Sequence, residues 1–271
     1  MKRRLNMICW VPTWLLLCLV TACHESPSVP GPAATVSMDQ ERPGMGMLKQ
    51  SLPDGTSVEI IQQWQVEDFD KDLMQFETVF WEAEDSVSLR KLIRNTDVVS
   101  GKRILEIGTG TGLISLCCLK SGARSVVATD INPQAVANAQ YNWFQLELDG
   151  DLDVRLVDVD HAGAFEVIAE DERFDVIISN PPWEDGTVDE VEDYAFIDAR
   201  FELLESILSG LDNHLTLDGE AYLAYGCVAA IREVYQRAAR HDLQVEKLDD
   251  RNLEDLENLF LPGMLLKVTR K

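Results

Sequence analysis

The segment RILEIGTGTGLISLCCLKSG, residues 103–122, constrains the fold more than any other part of the chain. Its first five residues form an apolar run of strand length. Gly108, Gly110 and Gly112 then free the backbone to turn directly into a helical apolar stretch, which Gly122 closes. A strand that passes through a glycine turn into a helix is the opening of a parallel βα unit, and it requires parallel neighbours.

The rest of the chain supplies them. Strands are predicted at SVVATD (125–130), DVRLVD (153–158), FDVIISN (174–180) and GEAYLAYG (219–226), with closing strands at LQVEKLDD (243–250) and GMLLKVTRK (263–271). Helices are predicted at 85–95, at 132–146 with Asn132 as N-cap and Pro133 in the first turn, at 195–215 and at 229–242. An earlier strand, SVEIIQQWQV, belongs to a small N-terminal extension, residues 51–84. Short apolar strands separated by helices argue for an α/β fold, a mostly parallel sheet covered on both faces.

Charge narrows the function. The net charge is −23, and residues 51–271 hold 19 basic against 44 acidic side chains. Such a body repels polyanions and gains nothing from counterion release, so nucleic acid is a disfavoured partner. Cys117 and Cys118 lie side by side in an apolar helix and are expected to pack rather than pair. No Cys/His cluster points to a metal site.

Residues 1–23 have a different character. Lys2, Arg3 and Arg4 precede an apolar stretch that ends in VTAC, which resembles the lipobox of bacterial lipoproteins and makes Cys23 the lipidated residue. Residues 24–50, rich in Pro, Gly and Ser, read as a flexible linker to a membrane anchor. Translation from Met38, Met45 or Met47 would instead leave a cytoplasmic protein.

Strand tips carry the candidate chemistry. The spacing G-x-G-x-G, with Leu113 next, departs from the dinucleotide pattern G-x-G-x-x-G. Asp130, with Ile131 beside it, ends the second strand, where a carboxylate can accept both hydroxyls of a ribose. Asp158 ends the third and can accept an adenine amino group. Asp160 is its substitute, and both are alternatively solvated loop acids.

RILEIGTGTGLISL, VVATDINPQAVANAQYN and FDVIISNPPW, in this order, resemble class I S-adenosylmethionine-dependent methyltransferases. Within them they are similar to the small-methyltransferase-domain and release-factor-glutamine-methyltransferase-like group. The resemblance covers residues 85–271 and implies a Rossmann-like seven-stranded sheet with an antiparallel final strand. It also implies S-adenosylmethionine as cofactor, bound by Glu106, Gly108, Gly110, Gly112 and Asp130. Two departures stand out. The group's N-P-P-Y is here Asn180-Pro181-Pro182-Trp183, and FETVFWEAED replaces a PRPETE-like segment. Phe80 and Trp81 either line the substrate mouth or pack the extension against the domain.

The NPPW turn suits nitrogen methylation. A planar amide or aryl amine has its lone pair delocalised, so two acceptors gripping its N–H bonds would orient it and relieve developing charge. The Asn180 side-chain oxygen, which also borders the cofactor, and the Pro181 carbonyl are the expected acceptors. Pro182 stiffens the turn, and Trp183 is expected to stack on the planar group. The expected function is therefore an N-methyltransferase acting on a protein side chain or small molecule. Alternatives are an RNA or DNA base methyltransferase and a lipid-anchored, non-catalytic binding protein on the same scaffold.

Overall fold

The computed structural model describes residues 48–51 and 57–271. The leader, Cys23, the alternative start sites and residues 24–47 of the expected linker lie outside them. Linker residues 48–50 belong to a strand, β1 (Leu48–Ser51), which pairs antiparallel with β2 (Ser57–Trp64). β3 (Leu73–Phe76) adds to the other side of β2, so the extension is a three-stranded antiparallel sheet.

The main sheet has seven strands. They are β4 (Arg103–Ile107), β5 (Ser125–Asp130), β6 (Asp151–Leu156), β7 (Phe174–Ser179), β8 (Leu215–Cys227), β9 (Leu243–Lys247) and β10 (Leu259–Arg270), in spatial order β6-β5-β4-β7-β8-β10-β9. The pairs β6·β5, β5·β4, β4·β7 and β7·β8 are parallel, and β10 runs antiparallel to both its neighbours. This is the expected Rossmann-like arrangement with an antiparallel final strand.

Its helices are α1 (Val87–Asn95), α2 (Leu113–Lys120), α3 (Pro133–Leu146), α4 (Glu202–His214) and α5 (Val228–Arg240). Strand side chains alternate between two buried layers. Leu105, Val127, Ile177 and Leu223 pack with α4 and α5, while Ile104, Val126, Val176 and Tyr222 pack with α1 and α2. Burial on both faces is why these strands read as continuous apolar runs. Cys117 and Cys118 are buried free thiols of the second layer.

Two local features depart from the sequence reading. The helix expected from residue 195 begins only at Glu202. Both Asp198 carboxylate oxygens cap it, accepting from the Leu203 and Leu204 amides at 2.8 and 3.0 Å, and Arg200 and Phe201 turn through φ of 56°. Such a cap ends the preceding coil and starts the helix at one place. Secondly, the extension is fastened to α3 by two asparagines one helical turn apart. Asn138 and Asn142 accept from the Phe76 and Met74 amides at 2.8 and 2.9 Å and donate to the Met74 carbonyl. The polar edge of β3 is thus satisfied by a helix rather than by another strand.

Candidate active site

The chain leaves β4 towards β5 on one side, and β7 returns to the other, so the C-terminal ends of β4 and β7 flank the point where strand order reverses. Ligands of open α/β sheets bind at such a point. A cleft of about 470 Å³ opens there, a size suited to a small-molecule ligand. Its floor is the glycine turn, the tip of β5 and the turn after β7.

The glycine turn is tightly organised. The Gly108 and Thr109 amides donate to the Thr129 carbonyl at 2.9 and 3.0 Å, and the Gly110 amide donates to Asp130 Oδ2 at 2.9 Å. Gly108, Gly110 and Gly112 all have positive φ, but for different ends. A methyl group at Gly108 would meet nothing within 4 Å, so the backbone faces the open cleft. One at Gly112 would lie 2.9 Å from Ala139 Cα. Gly112 therefore permits close packing of the turn on α3 and does not line the cleft, unlike the binding role expected for it.

Carboxylates dominate this half. Glu106 is buried, and its Oε2 accepts from the Thr109 hydroxyl at 2.7 Å and from the Ser115 amide and hydroxyl. Burial raises its pKa to about 8. Asp130 accepts from Gly110 through one oxygen and from the Asn132 amide, at 2.9 Å, through the other, and burial raises its pKa too. Glu106, Gly108, Gly110, Asp130 and Ile131 all line the cleft. Asp158 does not. Its side chain is 66% exposed and caps a short 3-10 turn by accepting from the Asp160 amide, so Val157, Ala162 and Gly163 form the wall there.

The turn after β7 supplies the other half. Asn180, Pro181 and Pro182 line the cleft. Asn180 Oδ1 is buried without a hydrogen-bond partner. A buried amide oxygen left without a donor costs about 1–3 kcal/mol, and such atoms in native folds call for a functional explanation.

Trp183 corrects the sequence expectation. Its indole N–H donates to the Ala224 carbonyl at 3.1 Å, and the ring packs where side chains at Gly226 would overlap it. It is absent from the residues lining the cleft, so it anchors the turn on β8 instead of stacking on a ligand. Its backbone joins that anchor: the Trp183 and Glu184 amides both donate to the Phe196 carbonyl, at 3.2 and 3.0 Å.

Residues 184–201 fold back over the cleft and contribute Val188, Val191, Glu192 and Tyr194 among others. Arg237 on α5 steadies the end of this segment, donating to the Arg200 and Phe201 carbonyls at the two left-handed residues. Phe80 lines the cleft and meets Phe196 edge-on at 5.0 Å, whereas Trp81 stacks on Trp64 at 4.8 Å. Phe80 thus stands at the cleft, while Trp81 packs with Trp64 against the α1 and α2 layer.

Sequence reasoning missed Glu82. It is 6% exposed, lines the cleft, and is held through Oε1 by the Thr111 hydroxyl at 2.8 Å and the Leu113 amide at 3.3 Å. Burial raises its pKa to about 7. The available signal was an acid directly after Phe80-Trp81, in a stretch apolar enough to be buried.

A model of the methyltransferase small domain family matches residues 72–223. A Methanocaldococcus jannaschii protein, provisionally named a protein N5-glutamine methyltransferase, is 33% identical over 175 residues, which are 62% of this chain and 82% of that protein. A tRNA1(Val) (adenine(37)-N6)-methyltransferase of Phocaeicola vulgatus is 40% identical over 87 residues, 32% of this chain and 35% of its own length. Among solved structures, SMU.776, described as a methyltransferase complexed with SAH, aligns with a TM-score of 0.54 at 16% identity, over 85% of this chain and 57% of that one.

Proposed function

The chain belongs to the methyltransferase small domain family, and from that premise we propose that it methylates a side-chain amide nitrogen of a protein. Methyl transfer from S-adenosylmethionine is the reaction of the family. The acceptor and the residue roles are our reading.

The observation that carries it is the unpartnered Asn180 Oδ1 in the cleft. An acceptor atom with no donor of its own is suited to an incoming N–H, and the amide of a glutamine side chain offers two. The cleft also fits the cofactor: Gly108 leaves room for close approach, and Asp130 and Glu106 present acceptors to hydroxyl and amino groups. Bound S-adenosylmethionine supplies an electrophilic methyl group on a sulfonium whose sulfur leaves as a neutral thioether. Asn180 Oδ1 and the Pro181 carbonyl would each hold one amide N–H bond so that the nitrogen lone pair turns towards that methyl, with the displaced proton passing to water. Acceptance by Asn180 also favours the positive charge that develops on nitrogen during transfer. Trp183 acts through the turn, by fixing it on β8.

A protein acceptor suits the −23 net charge better than a nucleic acid does, and it agrees with the name of the M. jannaschii relative. Attachment to a membrane through Cys23 is part of the proposal, and mass spectrometry of the native N-terminus tests it. For the acceptor, labelled S-adenosylmethionine is incubated with a lysate that is then split into protein, RNA and metabolite fractions. The expected label is in protein and is released as methylamine by acid hydrolysis, as an N-methylated amide requires. Label confined to RNA or to metabolites contradicts the proposal.

A further inference from the structure

Three carboxylates border the cleft floor, and they are not equivalent. Asp130 has both oxygens engaged by backbone amides, and Glu106 has Oε2 engaged by Thr109 and Ser115. Glu82 has one oxygen held and the other, Oε2, buried with no partner. That free oxygen lies on the glycine-turn side, 3.4 Å from where a methyl group on Gly110 would sit. No cation among the described residues answers it. Among the described residues that line the cleft the basic side chain is Arg200, which is 78% exposed and pairs with Glu202 at 2.5 Å.

We propose that Glu82 is the seat of the α-ammonium group of S-adenosylmethionine. The inference rests on the reading that this cleft holds the cofactor. Hydrogen bonds to a charged carboxylate are stronger than neutral ones, and an unpaired buried carboxylate oxygen is unfavourable until a donor arrives. The amino-acid end of the cofactor carries an ammonium with three N–H donors, and the glycine turn is where the backbone opens for it. The ribose hydroxyls are matched by Asp130 at the tip of β5, and the acceptor amide by Asn180 after β7. Glu82 is the acid whose second oxygen is buried without a partner beside the glycine turn, reaching the floor from the loop before α1. Its geometry is set by Thr111, inside the glycine turn itself, so the loop and the turn form one pocket for the ammonium.

The test uses the full-length protein and calorimetry with two ligands. S-adenosylhomocysteine carries the amino-acid end, and 5′-methylthioadenosine lacks it. In Glu82→Gln the amide oxygen can keep the Thr111 and Leu113 bonds, while the NH₂ replaces the free oxygen. We expect this variant to bind S-adenosylhomocysteine about tenfold or more weakly than the wild type, with methylthioadenosine affinity unchanged. Unchanged S-adenosylhomocysteine affinity overturns the proposal. An equal loss for both ligands also overturns it, by showing that Glu82 only supports the fold of the cleft. If the wild type binds neither ligand, the cofactor reading of the cleft fails first and Glu82 with it.

Discussion

Two turns leave adjacent strand tips at the floor of the cleft, and they are built in opposite ways. The glycine turn after β4 is held by its neighbours: its amides donate to Thr129 and Asp130, and Thr109, Ser115 and Thr111 each hold one oxygen of Glu106 or Glu82, which leaves Glu82 Oε2 as the orphan there. The NPPW turn after β7 is fixed from outside, by the Trp183 bond to Ala224 and the Phe196 carbonyl, and it keeps Asn180 Oδ1 unpaired. The difference matches what each half must do. A cofactor with many polar groups can be met by a prearranged set of acceptors. In the proposed reaction the nitrogen must find an unpaired acceptor waiting, on a turn anchored to β8.

The comparison breaks most severely where the second turn is anchored. Gly226→Val would drive a side chain into the Trp183 ring, and overpacking of this kind, which the sheet cannot relieve, should cost more than about 3 kcal/mol of folding stability. Trp183→Ala should cost about 3 kcal/mol, read as a lowered midpoint in urea, by emptying the same space. A variant as stable as the wild type would return Trp183 to a ligand-facing role.

On the glycine side, Asp130→Ala should weaken S-adenosylhomocysteine binding by about 10- to 100-fold in calorimetry, since two backbone amides and the ligand lose one shared acceptor. Retained affinity would separate Asp130 from the cofactor.

A smaller effect is expected from pH. Glu82 and Glu106 have pKa values raised from 4.5 to about 7 and about 8, so the folded protein binds protons that the unfolded chain has released. Their contribution to stability is therefore fully present below pH 4.5 and is lost as pH rises through 7 and 8. The ligand-free protein should melt at progressively lower temperature across this window, and the Glu82→Gln variant should show a shallower fall. Parallel curves would contradict the burial of an uncompensated Glu82 charge. The smallest effect belongs to Asp158→Ala, which should change cofactor affinity by less than about twofold because the side chain is exposed, does not line the cleft, and serves a turn and His161 instead.

The strand-tip residues were legible in the sequence because they obey local rules. A glycine after a buried strand, an acid at the next tip and an amide before two prolines each identify their place by neighbours a few residues away. Asn132 and Pro133 at the start of α3 were legible for the same reason. What was hidden depends on distant residues. Trp183 faces β8 because Gly226 and Gly263 leave room for it, and nothing beside the tryptophan reveals that. Gly112 differs from Gly108 only through Ala139, on another helix. The short strands β1 and β3 lack a strong apolar alternation, and β3 is completed by asparagines of α3. Glu82 became visible only when the loop carrying it closed over Thr111.

The central claim is that Asn180 serves the acceptor and not the fold or the cofactor. It is tested by comparing wild type and Asn180→Ala for transfer of labelled methyl into the lysate protein fraction, with S-adenosylhomocysteine affinity measured on the same samples. Loss of the Asn180 acceptor should lower transfer by about 100-fold or more while cofactor affinity stays within about twofold. Transfer that survives the substitution, or that falls only in step with cofactor affinity, would contradict the claim.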